Sequence, residues 1–172
     1  MMWILYGIGA LIGLVALMAV AGALIPKSHK ATRRATFLRP ASEVWAAITD
    51  IDKFPTWRGD LTSVERLPDR DGHPVWREKG RHGTMTLEQV ESRPPSRFVG
   101  RIADKNLPFG GTWTYELTEA AGSTTLAVTE DGEVYNPIFR FMARFVFGYS
   151  ATMEKYLRAL GRKFGEDVQP VQ

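Results

Sequence analysis

The sequence contains no cysteine in its 172 residues. Disulfides, thiolate metal sites and a cysteine nucleophile are thereby excluded. Histidine is nearly as scarce: His29, His73 and His82 stand apart, without metal-ligand spacing. No glycine-rich phosphate loop, Gly-x-Ser-x-Gly elbow or His-Glu-x-x-His pattern is present. Neither a metal nor a cofactor is expected. A basic face for nucleic acid is missing as well. Residues 1–40 carry five Lys or Arg and no acid, whereas residues 41–172 carry 17 basic and 19 acidic residues. The net charge of +3 therefore comes from the N-terminal segment, and the rest of the chain is nearly neutral. Binding a polyanion needs several Lys and Arg clustered on one face. There is no internal repeat and no low-complexity stretch.

Charge is also absent from Trp3 to Ile25, a run of 23 residues followed at once by Pro26, Lys27, Ser28, His29 and Lys30. A helix of that length is roughly 34 Å long, enough to cross a hydrocarbon core of about 30 Å. A cleaved signal peptide is the rival reading, with Ala19, Ala21 and Ala23 as the small residues near a cleavage point. Such peptides start with basic residues and carry an apolar stretch of only about 7–15 residues. Neither holds here, so residues 1–26 read as an uncleaved anchor. Gly7, Gly9 and Gly13 lie on neighbouring turns and offer a small-residue contact to another helix. Lys27, Lys30, Arg33 and Arg34 follow the run and nothing basic precedes it. The positive-inside rule then puts the C-terminal part in the cytoplasm, as a single-pass protein of the cell membrane.

Residues 27–168 are enough for one domain with its own core, and Gln169–Gln172 reads as a frayed tail. Residues 31–38 alternate like a strand. Pro40-Ala-Ser-Glu-Val-Trp opens a helix with Val44, Trp45 and Ile48 on its apolar face, and Asp50 ends it. Ile51-Asp-Lys-Phe-Pro-Thr-Trp is a short second helix or tight turn. Short strands follow over 61–67, 75–79, 84–91, 97–103, 110–118 and 124–130, separated by turn residues such as Pro68-Asp-Arg-Asp-Gly. Consecutive short strands with short turns mean an antiparallel meander. Asn136 and Pro137 are a good cap and first residue for a last helix. From there Ile138, Met142, Phe145, Tyr149, Met153, Tyr156, Leu160 and Phe164 form one helical stripe, about 28 residues or roughly 40 Å long, with Gly148 as a candidate bend. Its first half, Ile138–Phe147, is apolar nearly all round, relieved by Arg140 and Arg144. Burial between sheet and helices is the first expectation for that half, contact with a membrane the second, and a dimer surface the third.

Strand, helix, short helix, six-strand meander and long C-terminal helix is the α+β helix-grip order. The stretch Pro40-Ala-Ser-Glu-Val-Trp-Ala-Ala-Ile-Thr-Asp-Ile-Asp-Lys-Phe-Pro-Thr-Trp resembles the opening signature of the START-like (SRPBCC) superfamily, in particular its polyketide cyclase/dehydrase-like branch. The resemblance covers about residues 30–165. It implies a curved antiparallel sheet of about seven strands around the long helix, with an apolar cavity between them. The N-terminal anchor departs from the minimal single-domain pattern and disfavours a freely diffusing carrier.

Alternation predicts which side chains face that cavity. Trp76 and Glu78 share one face, as do Trp113 and Tyr115, and Val128 and Glu130. The helix adds Phe145, Tyr149 and Met153. As ligand walls, Trp76, Trp113, Tyr115, Val128, Phe145, Tyr149 and Met153 suit a hydrophobic small molecule or lipid. As an ordinary core they would simply fill the space. Glu78 and Glu130 are catalytic candidates because a carboxyl in an apolar cavity is pushed toward the range of a general acid or base. Each would lose that property at a strand end open to water. His82, in Gly80-Arg-His-Gly83, is the third candidate, as a proton shuttle or an exposed turn histidine. Trp57 is expected to plug the short helix. Asn106–Gly111 reads as a flap or a plain loop. Three functions stay open: membrane-anchored ligand binding, a cyclase/dehydratase-like enzyme, and a partner-binding module whose cavity is filled.

Overall fold

A computed structural model describes residues 2–81 and 83–172. His82 lies outside the described residues. Helix α1 (Met2–Leu24) carries the apolar run, and it is long and apolar enough to cross a membrane. All but its last turns are exposed, with Trp3, Ile4 and Leu11 each more than half accessible. Strand β1 (Ser28–Phe37) begins three residues after α1 ends. Helix α2 (Ala41–Thr49) follows Pro40, whose fixed φ suits a helix start. No side chain of its own caps it. The carboxylate of Glu119 does so from across the fold, accepting from the Ala41 backbone N–H at 2.7 Å. A 3₁₀ turn (Ile51–Lys53) and helix α3 (Phe54–Trp57) lead into the meander.

The meander comprises β2 (Leu61–Arg70), β3 (His73–Gly80), β4 (Gly83–Arg93), β5 (Arg97–Ile102), β6 (Phe109–Ala120) and β7 (Ser123–Val134). With β1 they form one curved antiparallel sheet in the order β1-β7-β6-β5-β4-β3-β2. The first strand pairs with the last, so β1 forms one edge of the sheet and β2 the other. Residues 124, 126, 128, 130, 132 and 134 of β7 alternate inward. Trp113 pairs with Glu130, Tyr115 with Val128 and Leu117 with Leu126. Helix α5 (Ala151–Phe164) crosses that inner face and buries Met153, Tyr156, Leu157 and Leu160 against Phe37, Val44, Leu126 and Val128. At about 25 cal/mol per Å² of apolar surface, burying side chains of that size contributes roughly 1.5–3 kcal/mol each.

Three expectations change. The C-terminal helix is not continuous. Helix α4 (Pro137–Met142) passes into a π turn (Ala143–Phe147), and Gly148 then breaks the path at φ 75, ψ 148, a conformation essentially restricted to glycine. The start of α4 does follow the expected chemistry: the Asn136 side chain accepts from the backbone N–H groups of Ile138 and Phe139. The segment is also not buried. Phe139, Phe145, Val146 and Phe147 are all more than half exposed. Finally, the C-terminal tail is pinned. Val171 exchanges both backbone hydrogen bonds with Arg34, at 2.8 and 2.9 Å, on the outer edge of β1.

Candidate functional site

Between the sheet, α3, α4 and α5 lies a cavity of about 480 Å³. Side chains do not fill it, contrary to the filled-cavity expectation. Its middle is aromatic: Trp76, Phe98, Trp113 and Tyr115 line it, and Trp113 and Tyr115 are backed by the Tyr156 ring at centroid distances of 6.0 and 5.7 Å. Trp57 stands on the far side of Tyr156 and edges onto Phe54, which fits the plug expected of it.

The inner end is polar, and it is built from three elements. Arg58 leaves α3 pointing inward. It donates from Nη1 to Glu78 on β3 and from Nη2 to Asp60, each at 3.0 Å. Trp76 Nε1 donates to the same Glu78 oxygen at 3.1 Å. The guanidinium also lies over the rings of Phe54 and Tyr156, at 5.4 and 5.6 Å. Burial works against the charge on Arg58, and the Glu78 and Asp60 carboxylates overcome it, so its pKa is raised. Burial likewise opposes charge on Asp60, and the Arg58 hydrogen bond wins, leaving that carboxyl below its ordinary value. Burial pushes the Tyr115 and Tyr156 phenols up, so both stay neutral. One guanidinium is thus shared between two carboxyl groups at this end. Among the described residues, Arg58 Nε, Trp57 Nε1 and the Tyr156 hydroxyl are buried without a hydrogen-bond partner.

The mouth is different. His29, just past the anchor, stacks on Tyr149 with centroids 3.9 Å apart and planes inclined by 15°. Its Nε2 stands 3.7 Å from Glu130 Oε1. Burial raises the Glu130 carboxyl above its ordinary value, opposed by the Trp113 indole. Burial lowers His29, opposed by the Asp131 charge. Each environment thus favours the neutral form. Gly132 opposes His29 in the β1–β7 register, and a Cβ there would strike the imidazole. Phe109, Phe139 and Phe147 complete the rim.

Of the residues singled out in the sequence, Trp76, Glu78, Trp113, Tyr115, Glu130 and Tyr149 reach the cavity. Three expected wall residues do not. Val128 and Met153 are fully buried in the core, because α5 packs directly on that part of β7. Phe145 faces outward at 65% exposure, because the π turn rotates it away from the helical stripe. Arg58 and His29 were missed. Arg58 follows directly on the short helix or turn and carried no signal of its own, and His29 read only as one of three scattered histidines. Of the Asn106–Gly111 loop, Phe109 and Gly110 line the cavity. No group of three or more His, Asp or Glu with metal-binding geometry exists among the described residues.

The family model for polyketide cyclase / dehydrase and lipid transport proteins matches residues 28–165. The chain belongs to that family. Solved structures agree on its fold. A conserved protein from Geobacillus kaustophilus superposes with a TM-score of 0.67 at 14% identity, covering 84% of this chain and 100% of its own. A START superfamily protein from Mycobacterium smegmatis gives 0.61 at 16%, covering 78% and 96%. The Zhui aromatase/cyclase from Streptomyces sp. R1128 gives 0.62 at 15%, covering 79% and 93%. At such identities the likeness establishes the helix-grip fold of this polyketide cyclase/dehydrase family member and no shared chemistry. A search of curated proteins returned no match. The family match begins at Ser28, so α1 is additional to the region that defines the family.

Proposed function

We propose that this family member binds a hydrophobic small molecule or lipid in the cavity while α1 holds it in a membrane. The observation that carries the reading is an open, aromatic-walled cavity of about 480 Å³ whose inner end is polar. Small-molecule sites are commonly concave and mostly apolar, with a few polar groups that fix orientation. The ligand's apolar body would be desolvated at about 25 cal/mol per Å². Its head would meet a guanidinium already paired with two carboxyl groups, together with neutral phenols. That end suits a hydroxyl or carbonyl group better than a free phosphate or carboxylate. The basic residues after α1 favour a cytoplasmic domain.

Native mass spectrometry of the full chain, purified from membranes in mild detergent, tests this. A co-purifying lipid or apolar compound near one per chain is expected, and its loss on Trp113→Ala would assign it to the cavity. A ligand-free mass, with no uptake of added apolar compounds, would refute the reading.

One observation favours cyclase/dehydratase-like chemistry as a second reading: Glu130 is a carboxyl with a raised pKa, facing the cavity beside His29. A carboxyl shifted in that direction, facing a cavity, is a candidate general acid or base. Turnover of an added polyketide-like substrate that is lost in Glu130→Gln would support it. Turnover undiminished in both Glu130→Gln and Glu78→Gln would remove these residues from the mechanism.

A further inference from the structure

We propose that the Phe139–Phe147 segment sits in the same bilayer that receives α1, and that the cavity opens through it directly into the lipid phase. The portal rests on the ligand-binding reading above; the bilayer seat of the segment does not.

The depth of the segment follows from its contacts with α1. Gly22 is buried against the backbone of Pro137, where a side chain would collide with the Pro137 carbonyl. Gly22 lies three residues before the end of the apolar run, so α4 starts about 4.5 Å inside that end. Arg140 is buried, with 7% exposure, and its Nη1 donates to the Ile25 carbonyl at 2.8 Å. That carbonyl is one of the unpaired acceptors at the α1 C-terminus. The arginine therefore locks α4 to the point where the anchor leaves the hydrocarbon. Anything that seats α1 in a bilayer carries α4 and the π turn into its interface.

The exposed surface matches that environment. Phe145 and Val146 are exposed, and Phe139 and Phe147, although they reach the cavity rim, are more than half accessible as well. Such a cluster, with Arg144 beside it and Lys27 and Lys30 just past the anchor, has the composition of an interfacial helix, with apolar groups below the head groups and cations among them. A water-facing surface would leave this patch without a purpose.

The same segment is also the cavity's outer wall. Phe139, Ala143, Phe147 and Gly148 line the mouth from inside. One short stretch thus separates the cavity from lipid, and it contains the π turn and the glycine break. Chain of this kind moves at less cost than a regular helix, because fewer of its backbone hydrogen bonds lie in a continuous ladder.

The absence of native cysteine makes the test direct. Single Phe145→Cys and Val146→Cys variants of the full chain, labelled with bimane, are placed in phosphatidylcholine/phosphatidylglycerol nanodiscs, with Thr118→Cys on the sheet as control. Doxyl-labelled lipid should quench positions 145 and 146 several-fold more than 118, and aqueous iodide should do the reverse. Iodide quenching at 145 and 146 equal to that at 118 would overturn the bilayer seat. Protection from both quenchers would overturn it too, in favour of a protein contact. For the portal, the probe is pyrene-dodecanoic acid dissolved in the same nanodisc. A Phe145→Asp/Val146→Asp variant should capture it several-fold more slowly while reaching the same final occupancy. Equal capture rates would overturn the portal. No capture by the parent protein would end the binding reading and the portal together, with the quenching pattern still deciding the seat.

Discussion

Helix α5 and the α4–π segment belong to one hydrophobic stripe in the sequence and meet opposite fates. Along α5 the stripe residues Met153, Tyr156 and Leu160 vanish into the core. Before Gly148 the stripe residue Phe145 turns outward, while Phe139 and Phe147, which lie off the stripe, reach the cavity rim. The difference lies in what surrounds the stripe. In α5 the other positions are Glu154, Lys155, Arg158, Arg162 and Lys163, which need water and so force one face inward. In the earlier segment Phe139, Phe141, Val146 and Phe147 supply apolar surface on several sides, and no single face can claim the core. A helix that is apolar all round needs a second apolar medium, and α1 lies against this one.

The comparison can be broken in order of expected effect. Arg58→Met at the deep end of the cavity should cost about 3–5 kcal/mol, because it strands the buried Glu78 carboxylate. Denaturant unfolding in detergent measures it, and the double variant Arg58→Met/Glu78→Gln should recover much of the loss. Leu157→Ala in α5, fully buried, should cost about 2–5 kcal/mol in the same assay. Gly148→Ala meets no neighbouring atom, so its cost is purely that of the backbone path, about 1–3 kcal/mol. A smaller cost would mean that the break between the two halves is soft.

The mouth offers a smaller, pH-dependent effect. The folded-state pKa of Glu130 lies above its ordinary 4.5. Between those two values the folded protein holds a proton that the unfolded chain has released, so stability falls as pH rises through that window. Glu130→Gln lacks this fall. Its stability relative to the parent should climb from pH 4.5 upward and then level off. His29 acts in the opposite sense, because its lowered pKa adds stability as pH rises toward 6.5. Thermal melts of the parent and of Glu130→Gln across pH 4–7 separate the two. The smallest effect belongs to Phe145→Ser, about 0.5–1 kcal/mol, since the ring is mostly exposed and rests on the Phe141 ring, 5.0 Å between centroids. That contrast with Leu157 is the sharpest single check on the difference between the two segments.

Most of the fold was readable because its signals are local. Strand alternation, the turn residues and the Asn136-Pro137 start each act within a few positions. The alternation along β7 also set the inward direction of Glu130, and that along β3 the inward direction of Glu78. What escaped depends on distant parts of the chain. Arg58 acquires its role only when α3 meets β3, twenty residues further on. The break at Gly148 is a matter of dihedral angles that hydrophobic spacing does not encode. The pairing of Val171 with Arg34 joins residues 137 positions apart, and a short polar tail carries no mark of it.

The short connection after α1 has a mechanical consequence. Only Ile25, Pro26 and Lys27 separate the end of the anchor from the first paired residue of β1, a reach of about 10 Å even when fully extended. Under the proposed reading, in which α1 sits in a bilayer, the domain is held beside that bilayer and cannot act as a shuttle. With α1 in a bilayer, its cavity cannot travel to a second membrane, and whatever it holds must be collected or delivered within one leaflet's neighbourhood. Onward movement of the cargo would require another protein to come to it.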